Sequence, residues 1–220
     1  MCANILFCVR NADNCKMSAS LLSLHYLPNA QWFKNYLAGD LVLIEQHENF
    51  VKSTCRNRCY IVGANGKQIL TIPLSGGRDH HQKYTETRIS YQNNWQDNHW
   101  QSIKSAYGST PYFEFYAHIF QNFYERQPEF LFDFNIELLK AVLKALKIKK
   151  EFAFSESYQK APENVIDLRD ERKSIPQAEQ LPRYYQVFDD KHGFTPDLSI
   201  IDLVFNLGPG CLAYLTQPVK

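Results

Sequence analysis

The sequence predicts an α/β fold: a sheet opened by a β-α-β unit, a β-hairpin, helices packed beside them, and a C-terminal helix docking on the same domain. Three observations carry this. Two short apolar runs, at residues 21–26 and 41–44, flank a helical stretch with its own start and stop signals. An Asn65-Gly66 pair stands between two strand-like runs. Amphipathic helical patterns then recur between residues 95 and 147.

The run Leu21-Leu22-Ser23-Leu24-His25-Tyr26 reads as a strand, broken by Leu27-Pro28-Asn29. Trp32, Phe33, Tyr36 and Leu37 fall on one face of a helix over 30–38, with Asn29 as its cap. Gly39 is predicted to end that helix at positive φ, where glycine is comfortable. Leu41-Val42-Leu43-Ile44 has the unbroken apolar character of a strand buried on both faces. Strand, helix and parallel strand imply a right-handed crossover.

Beyond this unit, residues 59–62 and 68–74 form the hairpin, joined through Asn65 and Gly66, both of which tolerate positive φ. Residues 75–85 form a loop and 88–91 a further strand. Helices are predicted over 95–107, over 111–124 with Thr110 as cap and Pro111 in the first turn, and over 130–147. In the last of these, Leu139, Val142, Leu143 and Leu146 lie at i, i+3, i+4 and i+7. Residues 151–155 read as a strand, 156–182 as a polar stretch that is either a lid over the site or an inert surface excursion, and 184–188 as extended chain. A helix over 199–206 opens on a near capping box, Ser199 with Asp202. Residues 1–16 carry three of the six cysteines and no period. They read as a disordered extension upstream of a true start at Met17, leaving 17–220 as a single α/β domain.

Lys+Arg 24 against Asp+Glu 23 gives a net charge of +1, so no global field draws the chain to nucleic acid or an anionic membrane. No run approaches the roughly 18 apolar residues of a membrane span, and residues 5–9 are too short for a secretion signal of about 7–15. The expectation is a cytoplasmic protein with no nucleic-acid partner. Six cysteines without a CxxC pair suggest neither disulfides nor a zinc knuckle. Asp79, His80, His81 and His99 lack metal-ligand spacing, and no metal or cofactor is expected. The 15 Phe, 13 Tyr and 3 Trp point to an aromatic core, with Trp95, Trp100 and Tyr107 as a helix packing face.

In an open α/β sheet, ligands bind beyond the carboxyl ends of the strands. His25 follows the first strand and His47 the second, which makes both candidate general bases at one rim. Histidines that only bond a loop are the competing reading. The helix start at Asn29 offers unpaired N–H groups to an anion. In Lys52-Ser53-Thr54-Cys55-Arg56-Asn57-Arg58, an extended chain would turn Arg56 and Arg58 one way and Cys55, Asn57 and Cys59 the other. Two guanidinium groups on one side suit a carboxylate or phosphate. A solvated edge strand is the alternative.

Several short motifs together carry a resemblance. Tyr26-Leu27-Pro28-Asn29, Trp32-Phe33, Gly39-Asp40, Lys52 and Arg56-Asn57-Arg58-Cys59 come first. Ile72-Pro73, Trp95-Gln96, His99-Trp100, Ala106-Tyr107, Pro111-Tyr112-Phe113 and 198–203 follow in order. Over residues 21–215 the chain resembles the WbqC-like protein family, in the version found in Bacteroides-like bacteria. The resemblance implies a place in surface-polysaccharide biosynthesis of the O-antigen type and an aminoacyl-type transfer. It also implies a site at His25, Asn29, Lys52, Asn57, Arg58 and His99. Where many relatives carry His-Gln-Pro this chain has His25-Tyr26, and Glu45-Gln46-His47 replaces aspartates.

The function expected is therefore transfer of an aminoacyl or acyl group from an anionic activated small-molecule donor, with a glycan as acceptor. His25 or His47 is the base; Asn29, Lys52, Arg56, Asn57, Arg58 and His99 bind substrate. Nucleotidyl transfer from a nucleoside triphosphate, or non-enzymatic assembly on a glycan or partner, are the alternatives.

Overall fold

A computed structural model describes residues 19–76, 82–170 and 181–218. The 1–16 extension and Asp79, His80 and His81 lie outside the described residues. Strand β1 (Ala19–Ser23), helix α1 (Ala30–Ala38) and strand β2 (Leu41–Glu45) form the β-α-β unit, with β1 and β2 parallel and Ser23 opposite Glu45. The sequence runs β1 on to Tyr26, but pairing stops at Ser23, so His25 lies beyond the strand. Asn29 caps α1 as expected, its side chain accepting from the Trp32 amide. Gly39 departs from expectation: its φ is −73°, ordinary extended backbone. Glycine is needed there for closeness, since a Cβ would stand 2.4 Å from Ser20 Oγ.

Strands β3 (Arg58–Gly63) and β4 (Gly66–Thr71) form the antiparallel hairpin. Gly66 takes φ +97° while Asn65 stays negative, so one positive-φ residue, not two, closes the turn. Helices α2 (Trp95–Tyr107), α3 (Phe113–Tyr124) and α4 (Leu131–Ala145) follow. Thr110 does not cap α3. Its hydroxyl bonds the Tyr107 carbonyl instead, and the helix starts two residues after Pro111. Residues 88–91 make only isolated bridges, Ile89 to Leu74 and Arg88 to Phe130.

The sheet is completed from the far end of the chain. Strand β5 (Ala153–Phe154) pairs with β2, and β6 (Val165–Asp167) pairs with β1, all parallel, in the order β5-β2-β1-β6. β6 lies inside the stretch read as a lid or an excursion; three residues are too few to show a period. Residues 184–188 form no strand. After the short helix α5 (Asp189–His192), α6 (Ile200–Leu207) and α7 (Cys211–Thr216) pack back against α1, as expected. Ser199 precedes α6, but its hydroxyl goes to the Leu27 carbonyl, so no capping box forms.

α6 is buried from Ile200 through Asn206, Asp202 and Asn206 included, as a helix enclosed by others is. It meets α1, α2, α3 and α7. Phe205 at its centre packs the rings of Tyr107, Phe113 and Phe120 at centroid distances of 5.4, 5.0 and 5.5 Å. Trp95, Trp100 and Tyr107 are buried, as the packing reading of α2 requires. No helix among the described residues is long and apolar enough to cross a membrane.

Candidate functional site

The carboxyl ends of the four parallel strands converge on polar side chains: Ser23 from β1, Glu45 from β2, Ser155 just after β5 and Asp167 from β6. Glu45 is fully buried. Its Oε1 accepts from Ser155 Oγ at 2.7 Å and from the His47 amide at 2.8 Å, and its Oε2 accepts from Arg169 Nη1 at 3.2 Å. Arg169 also donates Nε and Nη2 to the two oxygens of Asp167, at 2.9 and 2.8 Å.

Beside this lies a second ion pair. Arg56 donates Nε to Glu48 Oε1 at 2.9 Å and Nη2 to Glu48 Oε2 at 2.7 Å, with both side chains 7% exposed. Ser23 Oγ joins them, donating to Glu48 at 3.0 Å and accepting from Arg56 at 2.8 Å. Two guanidinium groups thus stand among three carboxylates, with every charge held by an opposite one, as enclosed charges must be.

His25 is buried within this neighbourhood, its ring 6.4 Å from that of Trp32. Burial and the nearby Arg56 charge push its pKa down to about 3, so the imidazole is neutral at pH 7. His47 is half-buried, with its amide on Glu45 and its carbonyl accepting from Lys83 Nζ at 3.1 Å. The structure therefore brings His25, His47 and Arg56 to the same end of the sheet.

The other predicted residues are placed differently. Residues 52–57 form turns rather than extended chain, and this undoes the alternation expected of Arg56 and Arg58. Lys52 is exposed on that turn. Arg58 opens β3 opposite Thr71, and its Nε is buried with no hydrogen-bond partner among the described residues. Asn57 donates to the Ile72 carbonyl at 2.9 Å, and its Oδ1 likewise meets no partner among the described residues. His99 belongs to an aromatic cluster. Its Nδ1 lies 3.1 Å from the Tyr26 hydroxyl, which is in turn 2.6 Å from that of Tyr124. Burial lowers the pKa of His99 to about 4, while a bond to the Thr71 carbonyl acts the other way.

The helix start at Asn29 is already occupied by a carboxyl group of the chain itself. Asp197 Oδ1 accepts from the Gln31 amide at 2.9 Å and Oδ2 from Asn29 Nδ2 at 2.6 Å. An external phosphate would have to displace this carboxyl group. An open groove of about 530 Å³ lies between the hairpin turn and α2, lined by Asn65, Lys67, Gln68, Gln101, Ser102 and Ser105 among others. It contains none of the predicted site residues. No group of three or more His, Cys, Asp or Glu side chains among the described residues could hold a metal ion.

Ser23, Glu48, Ser155, Asp167 and Arg169 were not legible as site residues. Ser23 had a signal, as a polar residue inside an apolar run, and Glu48 a weaker one, four residues beyond the second run. Asp167 and Arg169 had none, because the strand that carries them is invisible in the pattern.

Comparison with known proteins agrees with the motifs. An uncharacterized protein of Mycobacterium tuberculosis, Rv1507c, is 27% identical over 228 residues, covering 90% of this chain and 98% of that protein. No solved structure matches. The model of the WbqC-like protein family matches residues 24–179, a stretch running from the end of β1 past Arg169 and including the whole polar cluster except Ser23. This chain belongs to the WbqC-like protein family.

Proposed function

We propose that this protein is a group-transfer enzyme of surface-polysaccharide biosynthesis, working from an anionic activated donor to an amine or hydroxyl of a glycan. The observation that supports this reading is the convergence of four strand ends on largely buried, ion-paired polar groups beside two histidines. An apolar filling of the same space would be at least as stable, so the retained charges argue for chemistry.

In this reading the acceptor attacks the acyl carbon, its proton passes to an imidazole, and the donor's anionic group leaves with the bonding electrons. His47 takes the base role. His25, held neutral with a pKa of about 3, is too weak a base for an amine or hydroxyl and serves as a hydrogen-bonding wall. Lys52, exposed on the turn that leads to Arg56, receives the donor's negative charge.

Mass spectrometry of lipid-linked glycans tests the reading. A strain lacking the gene should lose one acyl or aminoacyl mass from the glycan. Wild-type protein should restore it and a folded His47→Ala variant should not. An unchanged glycan in the deletion strain sinks the proposal.

A further inference from the structure

We propose that Arg169 is a positioning residue of this site, and that through it residues 156–164 close over the carboxyl ends of the strands. The identity of the site rests on the transfer reading; the test does not.

Strand order places β1 between β2 and β6. Arg169 stands two residues beyond β6, yet its Nη1 reaches Glu45 at the end of β2. Its side chain therefore crosses the end of β1, the strand that leads to His25. On its own side it is gripped by both oxygens of Asp167 and by the Gln159 carbonyl at 2.8 Å, with the Tyr158 ring 5.0 Å away. One guanidinium thus fastens the start of the segment, the end of β6 and strand β2 together.

Residues 165–168 are held by the pairing of β6 with β1 and by the Leu168 amide on the Leu21 carbonyl, whereas residues 156–164 lie outside that pairing. Residues 156–161 are exposed, and no regular structure forms between β5 and β6. The Arg169 side chain, by contrast, is 9% exposed. Its contact with Glu45, at 3.2 Å, is longer than that with Asp167, at 2.8 Å.

The same contact governs His47. Among the described residues, Arg169 is the cation paired with the fully buried Glu45, whose other oxygen holds Ser155 and the His47 amide. Without the guanidinium the carboxylate must take up a proton or turn outward, since an uncompensated buried charge is costly. Either change loosens residues 45–48 together with the segment. A lysine cannot replace the arginine, because one ammonium cannot meet Asp167 side-on and Glu45 at the same time.

Hydrogen exchange of the whole chain, read by mass spectrometry, tests this without substrate. Arg169→Gln should speed exchange at least tenfold in 156–164 and in 45–48 while α2 and α4 stay unchanged, and Arg169→Lys should behave the same way. Tyr158→Ala removes an exposed ring and should give a smaller rise in the same peptides. Unchanged exchange in either stretch, or wild-type behaviour of the lysine variant, overturns the proposal. Should Arg169→Gln fail to fold, Tyr158→Ala decides, and no local rise there is a failure. These outcomes leave the glycan experiment untouched, and its failure leaves them untouched.

Discussion

Glu48 receives Arg56 side-on, with two parallel bonds of 2.9 and 2.7 Å inside the protein. This geometry saturates the guanidinium: its remaining nitrogen bonds Thr54 Oγ1 at 3.2 Å, and Ser23 completes the set. Arg56 is thereby a fixed charge beside His25 rather than a mobile arm.

Removing one member of that pair should be worse than removing both. Glu48→Gln or Arg56→Gln should each cost about 3–5 kcal/mol, because each leaves an enclosed charge unmatched. A Glu48→Met, Arg56→Met double variant should recover much of the loss. Urea unfolding of the three proteins checks this, and additive losses would refute it.

Gly39 should tolerate no side chain while Ser20 faces it. Gly39→Ala brings a Cβ to 2.4 Å from Ser20 Oγ and 3.1 Å from Ser20 Cβ, within a β1–β2 pair whose members cannot part. The expected loss is about 1–3 kcal/mol. Ser20→Gly in the same protein should return part of it, measured as a rise in Tm above the single variant.

Stability against pH should show two opposed trends that separate in variants. Burial raises Asp202 to about 6 and Asp197 to about 7. A raised acid stabilises fully below its unfolded value, and that stability is lost as pH rises through the folded one. Burial lowers His99 to about 4 and His25 to about 3, which works the other way: stability is full above pH 6.5 and lost as pH falls. Between pH 4 and 6 the wild type should therefore be nearly flat. Asp202→Asn should become more stable as pH rises across that window, and His99→Gln less stable, each by about 2–3 kcal/mol. Denaturant midpoints at half-unit pH steps read both slopes.

The Tyr26 hydroxyl should matter more than that of Tyr124. Tyr26→Phe strands both His99 Nδ1 and Tyr124 Oη, whereas Tyr124→Phe leaves the Tyr26–His99 contact whole. Expected losses are about 2–3 kcal/mol and about 1 kcal/mol. Equal losses in calorimetry would argue that the three groups are not one network.

The first β-α-β unit was legible because its signals are local. Asn29 caps within three residues, Trp32 and Tyr36 share a helical face, and the strands are apolar runs. Gly39 was legible as a helix stop, but for the wrong reason, since its neighbour Ser20 is set by tertiary approach. Of the residues at this end of the sheet, His25 and His47 could be read from their places after strands, and Arg56 only as part of the basic run 52–58. Glu48 as the partner of Arg56 could not, nor could Asp197 at the start of α1, because ion pairs across turns leave no period. Arg169 was hidden more deeply, in a strand of three residues that exists only because β1 offers it an edge.

The distances along the chain have a consequence for how the protein comes into being. Ser23 meets the Arg169 carbonyl 146 positions later, and Asn29 meets Asp197 after 168. A nascent chain emerging from the ribosome cannot finish its sheet until Arg169 is out, nor complete the polar contacts at the start of its first helix until Asp197 is. Such long-range closure makes for slow folding, and until then the half-built sheet exposes its β1 edge to whatever chaperone or neighbouring strand arrives first.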